Sequence, residues 1–570
     1  MPYRKFFRSA LLPGILGILA ILVLACSGGT GPSSNTNTTP APDSKQIFRY
    51  PIGPSDFGSL DPALAVQNTD ISAIQMMFTG LVALSSDGKV TDQLASNHTI
   101  SSDGLTYTFT LRPNLTFSDG TPLTANDVAY SINRALLPST KSPAASFLSP
   151  IKDFTKIISG QLPTLIDDSL IVKDDHTISI ILAQPTAYFL QSLAALPTAY
   201  TVNKKVVEKY GAKWTEHLSE GGGAGPFKAS SYSHNKGLTL TPNTNYYGPK
   251  PRLQRVELQQ SGSTDTTYKS YQAGQLDYAT IPLADLANAR KRPDYKHTPT
   301  LGLNYVLMNY LAKPFNNIKI RQAFALAINK DILAQNVMYG SVLPTNHLIP
   351  QGVPGYNQAL AGPASVTSTK GDLQKAKQLF QEGLQEENYQ NAAALPSITL
   401  SYLAGSNDTK NLVTVLAQQW QTAFGVNMQV SSMEASALVQ AQLGTTGKSG
   451  PLQIWTISYG NYADPQAWLS TWFAKGAPFN NANYGQNTSS NATQQQAIQS
   501  ELAQADVNQN QQERLQQYSS AEQHLVDDVA AIPLYQVEAH VLINPKLQNY
   551  SLNPLVTIAP NDWGNIYMSL

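Results

Sequence analysis

Strand-like and helix-like hydrophobic patterns interleave along this chain instead of segregating, and that limits its fold more than any other feature. Tyr107, Phe109 and Leu111 alternate with Thr108 and Thr110 after the turn pair Asp103-Gly104, the pattern of a half-buried strand. Ile178, Ile180 and Leu182 repeat it. Thr124 followed by Asp127 reads as an N-cap with an acidic first turn, and Val128, Ile132 and Leu136 continue at four-residue spacing. Ile320, Ala323, Phe324, Ala327 and Ile328 mark an amphipathic helix; Leu412, Val415, Leu416 and Ala423 mark another, and Leu515, Tyr518, Leu525 and Val526 a third. Strands and helices mixed in this way predict an α/β protein. At 570 residues the chain is long enough for more than one structural unit. The stretch from Gly476 to Gln496 is rich in Asn, Ser and Gln and is expected to be a surface loop.

The N-terminus carries its own pattern. Arg4, Lys5 and Arg8 precede an apolar run from Ala10 to Leu24, interrupted by Pro13, Gly14 and Gly17. A helical span needs about 20 apolar residues, so this shorter run reads as a secretory signal. It ends in Val23-Leu24-Ala25-Cys26-Ser27-Gly28-Gly29, which resembles a bacterial lipobox, although Leu24 departs from the commoner small residue. Residues 1–25 are therefore expected to be a lipoprotein signal peptide, with Cys26 the lipidated residue. Residues 26–46 would form the lipid anchor and a flexible tether, because Ser27 to Gln46 offer almost nothing apolar to offset ordering entropy. Such a tether reaches roughly 25 Å.

Charge and cysteine content remove several classes of function. The formal net charge is zero, no Lys/Arg block occurs, and charged residues make up 13%, which argues against nucleic-acid binding. One cysteine excludes an intramolecular disulfide framework and a Cys-based metal site. The histidines, His98, His176, His217, His234, His297, His347, His524 and His540, never fall three or four apart, so no local metal motif is present. No nucleophile elbow or β-lactamase set occurs. The run Gly221-Gly222-Gly223-Ala224-Gly225 leads into Pro226, which lacks a donor that a phosphate loop would use, so a tight turn is expected. No catalytic residue, metal ligand or cofactor site is assigned. Scattered carboxylates leave a secreted, lipid-anchored hydrolase as a distant alternative, since glycosidase pairs are read from geometry.

Ordered motifs run through the body of the chain. They are Leu60-Asp61-Pro62, Phe78-Thr79-Gly80-Leu81 and Leu94-Ala95, then the dense stretches Ser102 to Arg112 and Phe117 to Val128. Gly225-Pro226-Phe227, Asn243 to Tyr247, Ala273 to Asp277, Pro314-Phe315, Ile320 to Ala323 and Ala531 to Tyr535 follow. Together they resemble the family 5 extracellular solute-binding proteins, the peptide-binding receptors of ABC importers; Ser118 and Asn126 stand where His and Glu are common. Asp103-Gly104 and Asp119-Gly120 are read as turn pairs, and Tyr107 and Phe109 as core, rather than as ligand contacts.

The resemblance implies a two-lobed, hinged periplasmic-binding-protein fold of the class II type with an extra third domain. Domain I would comprise residues 47–75, 212–300 and 535–570, domain II residues 76–211, and domain III residues 301–534. It also implies two ligand walls, Val66, Gln67 and Asn68 on one side and Ser458, Tyr459, Gly460, Asn461 and Tyr462 on the other. The second wall resembles the family pattern W-x-x-D-Y-x-D-P, with Tyr462, Asp464 and Pro465 matching. Ser458 stands at the Trp, with Trp455 three residues upstream, and Asn461 stands at the Asp that pairs with a peptide's α-ammonium. An amide supplies no charge, so N-acetylation of a bound peptide is expected to weaken binding less than about tenfold. Asp464, the nearest acid, is read first as the cap of a helix beginning near Pro465. The implied function is an extracytoplasmic importer receptor, lipid-anchored to the outer face of the cell membrane, in the periplasmic space where an outer membrane exists. Its partners would be a peptide and an ABC permease with its ATPase subunits, and the receptor itself a monomer. The neutral Asn461 keeps open a receptor for another solute, such as a sugar, an opine-like compound or a metal chelate.

Overall fold

The structure, a computed structural model, describes residues 39–556 and 558–570. The signal peptide, Cys26 and most of the tether lie outside the described residues. The expected tether is corrected at its far end: residues 40–46 pack on the body, because the Ala41 N–H donates to the Met568 carbonyl at 2.8 Å and the buried Gln46 Nε2 donates to the Ala41 and Met568 carbonyls at 2.8 Å. Residues Pro40–Leu570 form one compact unit of mixed α/β composition, as the interleaved patterns predict.

The Thr106–Leu111 run forms a strand with Tyr107, Phe109 and Leu111 buried. It lies inside an antiparallel four-stranded sheet ordered Ala95–Ile100, Thr106–Leu111, Thr177–Ile181 and Leu170–Asp174. Tyr107 stands opposite Ile180, and Phe109 opposite Ile178, so two distant alternating runs share one apolar face. Helix Ala125–Leu136 joins that core through Val128, Ile132 and Leu136, all without exposed surface. Its start is set by Thr124, whose backbone N–H donates to the Asp127 carboxylate at 2.9 Å.

A second four-stranded sheet runs Ile47–Pro51, Arg255–Gln259, Gly237–Pro242 and Phe227–Ser233. Its core holds Phe48, Trp214 and Trp563. The glycine run beside it is a place of close backbone approach rather than a phosphate loop. A Cβ on Gly223 would lie 2.2 Å from the Met77 carbonyl oxygen, and the Gly225 N–H donates to that same oxygen at 2.8 Å. The run thereby fixes the end of helix Asn68–Met77.

The largest sheet has seven strands. Six lie in the order Tyr278–Thr280, Ile532–Ile543, Tyr295–Met308, Ile454–Gly460, Ile398–Leu403 and Met428–Met433, with Val342–Pro344 beside Ile532–Ile543. Strand alternation gives it two buried faces. Val306, Met308 and Ile454 pack with Phe324, Phe380 and Trp420 of the helices Ile318–Leu326, Leu373–Glu386 and Asn407–Phe424. Leu303, Tyr305, Leu307 and Trp455 pack on the other face with Leu502, Tyr518 and Leu525 of Ala492–Val507 and Gln511–Asp527. Full burial of each such aliphatic side chain is worth about 1.5–3 kcal/mol.

The strands Tyr295–Met308 and Ile532–Ile543 are the longest and pair from Tyr295 opposite Leu542 to Val306 opposite Ile532. At one end they adjoin the sheet that begins at Ile47: Asp277 accepts from the Arg49 N–H at 2.9 Å and from Asn544 Nδ2 at 2.7 Å. At the other end they run into the middle of the large sheet. Their register breaks between Pro299 and Leu303 and again between Asn304 and Tyr305.

Two further sequence expectations are corrected. The helix read through Ile328 ends at Leu326, although Ile328 remains buried. The Asn-rich stretch from Gly476 is not a simple surface loop: Asn480, Asn483 and Tyr484 are buried, and the helix Ala492–Val507 begins within it. The reason is hydrogen bonding. Asn480 Nδ2 donates to the Tyr484 carbonyl at 2.8 Å, while Asn483 Nδ2 donates to Asn309 Oδ1 at 2.8 Å and to the Thr445 carbonyl at 3.1 Å. Amides that satisfy buried carbonyls can themselves be buried.

Candidate ligand-binding site

A cavity of about 870 Å³ runs between two walls from distant parts of the sequence. One wall carries Val66, Asn68, Ile71 and Gln75, from the turn into helix Asn68–Met77 and from its first turns. Val66 is 51% exposed, so its apolar surface faces an opening instead of a core. Gln67 does not line the cavity; its side-chain amide stands where a Cβ on Gly58 would lie 2.9 Å away, and its carbonyl accepts the Ile71 N–H at 3.0 Å. The opposite wall carries Ser458, Tyr459, Gly460, Asn461 and Tyr462. The sequence-derived walls are thus brought to one cavity, apart from Gln67.

The strand Ile454–Gly460 explains why this wall is built as it is. On one side it pairs along its whole length with Tyr295–Met308, from Ile454 opposite Met308 to Gly460 opposite Gly302. On its other side, Ile398–Leu403 pairs only with Ile454 and Trp455. From Thr456 onward the strand has one neighbour among the described residues, so its second edge is unpaired by them where Ser458, Tyr459 and Gly460 line the cavity. Trp455 is fully buried beneath the sheet and does not reach the cavity, so it does not stand in for the Trp missing at Ser458.

Beyond the strand, side chains are locked to one another. Tyr459 donates from its hydroxyl to the Ala467 carbonyl at 3.0 Å and packs edge-on against Trp472, ring centroids 4.9 Å apart. Burial pushes that hydroxyl up to about 12. Asn461 turns back on its own segment: Nδ2 donates to the Tyr459 hydroxyl, and Oδ1 accepts the Tyr462 N–H at 2.8 Å. Tyr462 donates to Gln466 Oε1 at 2.7 Å and faces Phe147 at 6.0 Å between ring centroids. Asp464 caps the helix at Pro465, accepting the Gln466 N–H at 2.9 Å, and its two oxygens also receive Arg514 at 2.9 and 2.5 Å. The Asp464 carboxylate holds the Arg514 guanidinium well above its ordinary range.

The ionisable groups in the wall are few. Lys475 is exposed, Glu538 faces His297 at 3.4 Å and His540 at 3.8 Å, and Asp506 sits where helix Ala492–Val507 ends. Sequence reading missed Asp506 and Glu538. The local signals available were that Asp506 directly follows the buried stripe Ile498, Leu502 and Ala505, and that Glu538 lies on a long strand with buried ends.

A cavity between walls from distant parts of the chain, lined also by the paired strands Tyr295–Met308 and Ile532–Ile543 of a mixed α/β fold, defines a two-lobed α/β solute receptor. The family model for bacterial extracellular solute-binding proteins, family 5 Middle, matches residues 89–480, and the chain belongs to that family. The oligopeptide-binding protein OppA of Bacillus subtilis (strain 168) is 28% identical over 530 residues, covering 91% of this chain and 93% of its own. The dipeptide-binding protein DppE of the same organism is 26% identical over 545 residues, covering 94% of this chain and 95% of its own. The solved structure of the Escherichia coli murein tripeptide binding protein MppA matches with a TM-score of 0.72 at 25% identity, over 94% of this chain and 100% of that one. No helix among the described residues is long and apolar enough to cross a membrane.

Proposed function

We propose that this protein is the extracytoplasmic receptor of an ABC importer, capturing peptides in the cavity and delivering them to a permease with its ATPase subunits. The observation that carries the reading is the unpaired strand edge at Ser458–Gly460 along the cavity. An extended peptide added to such an edge is held through its own amides and carbonyls, largely irrespective of its side chains. The relatives named for oligopeptides and dipeptides agree with this choice of ligand. The receptor acts as a monomer and carries out no catalytic step.

In this reading the ligand contacts are Val66 and Asn68 against Ser458, Tyr459, Gly460, Asn461 and Tyr462. Domain I comprises residues 47–75, 212–300 and 535–570, domain II residues 76–211, and domain III residues 301–534. The crossing strands Tyr295–Met308 and Ile532–Ile543 form the hinge, bending where their register breaks. Ligand shifts the receptor toward a closed form by its differential affinity for that form. A bound alanine peptide will compact the protein and raise its melting temperature; at a hundred times Kd the stabilisation is about 2.7 kcal/mol. Scattering curves unchanged at saturating peptide would refute closure.

Residues 1–25 are removed as a lipoprotein signal, which leaves a net charge of about −3. Cys26 is acylated, and the residues between it and Pro40, where the chain docks onto the body, tether the protein to the outer face of the cell membrane. Cys26→Ala will abolish fatty-acid labelling and release the protein from membranes, since stable anchoring takes two or more chains. Undiminished label in the variant would sink the anchor assignment.

A further inference from the structure

A peptide ligand, on the reading just given, brings an α-ammonium into the cavity, and Asn461 offers it no charge. Its Oδ1 is also engaged by the Tyr462 N–H. Asp464 is occupied as well, bonded through both oxygens to Arg514 and through one to the Gln466 N–H. Glu538 faces two histidines. Asp506 differs from these. Its Oδ1 accepts from Ser470 Oγ at 2.7 Å and from the Tyr518 hydroxyl, while its Oδ2 has no hydrogen-bond donor among the described residues. Asp506 lines the cavity.

We propose that Asp506 is the carboxylate that receives a peptide ligand's α-ammonium in this receptor, in place of the acid that Asn461 replaces. The charge balance around it points the same way. The groups facing Asp506 are Ser470, Tyr462 and Asp464 from the segment after the strand, Arg514 and Tyr518 from helix Gln511–Asp527, and Tyr188 from the first half of the chain. Arg514 is the sole cation among them, and its ion pair is with Asp464. The trio Asp464, Arg514 and Asp506 therefore carries one net negative charge. The carbonyl end of helix Ala492–Val507 adds partial negative charge at the same place, which favours a cation. A carboxylate so placed takes either a proton or an external cation. Burial pushes the Asp506 carboxyl up to about 6, the response expected of a group still lacking its cation.

This has a direct thermodynamic signature. An α-ammonium, with an ordinary pKa of about 7.7–8.0, is charged at pH 6 and would hold Asp506 ionised. Binding then displaces a proton from Asp506 near pH 6, and affinity for free-amine peptides falls as pH drops below about 6. An acetylated peptide shows neither effect.

The test is titration calorimetry on the full chain at pH 6, in two buffers of different ionisation heat. The probes are alanine peptides from dipeptide to pentapeptide and their N-acetyl counterparts. The native protein is expected to prefer the free amine by more than about tenfold, above the bound read from Asn461 alone. It should also release protons with the free-amine series only. Asp506→Asn keeps an Oδ1 for Ser470 and Tyr518 and should lose both the preference and the proton release while still binding acetylated peptides. A native preference below tenfold, an unchanged preference in the variant, or no proton release from the native protein each overturns the Asp506 assignment and leaves the peptide reading standing. Binding of no peptide in either series overturns the peptide reading and this inference with it.

Discussion

Arg321→Met will cost about 3–5 kcal/mol of folding stability, because it leaves a buried carboxylate without its counter-ion. Arg321 has no exposed surface. Its Nη2 donates to Asp528 Oδ1 at 2.6 Å, Nε and Nη2 reach the Asp528 carbonyl at 3.2 and 3.1 Å, and Nη1 donates to the Phe315 carbonyl at 3.0 Å. The guanidinium also lies 4.0 Å from the centroid of the Tyr310 ring. One side chain thus clips helix Ile318–Leu326 to the end of helix Gln511–Asp527, on opposite faces of the large sheet. Methionine fills much of the volume but supplies no donor. Burial already raises the Asp528 carboxyl above its ordinary range, and loss of the guanidinium raises it further. The variant's native state then binds a proton that its unfolded state does not, so its deficit grows with rising pH and shrinks toward acid. The measurement is the urea midpoint at unchanged slope. Asp528→Asn added to Arg321→Met should recover part of the loss, since no buried charge then remains. A single-variant loss below about 1 kcal/mol would show that water or another group already compensates Asp528.

What the sequence made legible follows from which interactions are local. Thr106–Leu111 and the start of Ala125–Leu136 could be read because alternation, four-residue spacing and a cap each report on a neighbour a few residues away. The wall at Ser458–Tyr462 was legible only through resemblance: nothing in Ser458, Tyr459 or Gly460 by itself says that one strand edge goes unpaired. That edge exists because Ile398–Leu403 pairs with Ile454 and Trp455 and no further, a property of two segments far apart in sequence. The Asn-rich segment misled for a different reason. Polar composition reads as solvated only where the amides lack buried partners, and Asn480 and Asn483 find theirs in carbonyl and amide oxygens of the surrounding chain. Asp506 was invisible because its significance is negative: it matters once Asp464 is seen to be committed to Arg514. A sequence shows acids; it does not show which are already paired.

The stability difference between the native protein and Lys330→Met will widen between about pH 7 and the ordinary lysine range. Lys330 is 5% exposed and has no carboxylate partner among the described residues; its Nζ donates to the Thr345 carbonyl at 2.8 Å and to Asn346 Oδ1 at 2.6 Å. Burial depresses its ammonium to about 7, whereas an unfolded lysine titrates near 10.4. Between those values the unfolded chain holds one more proton at this lysine than the native state, so the contribution of Lys330 to stability rises with pH by about 1.4 kcal/mol per unit. The full climb is on the order of 5 kcal/mol at most, because the two oxygen acceptors favour the charged form. Methionine cannot titrate, and it leaves those acceptors short of a donor at a cost of about 1–3 kcal/mol. The native protein is therefore clearly the more stable at pH 10, and its advantage narrows toward pH 7, where holding a buried ammonium offsets the two hydrogen bonds. Urea unfolding of both proteins across this range isolates the effect, since tyrosines and surface lysines common to both cancel in the difference. A difference that stays flat within about 1 kcal/mol would mean that Lys330 stays charged in the core, with the Thr345 and Asn346 oxygens outweighing the cost of burying it.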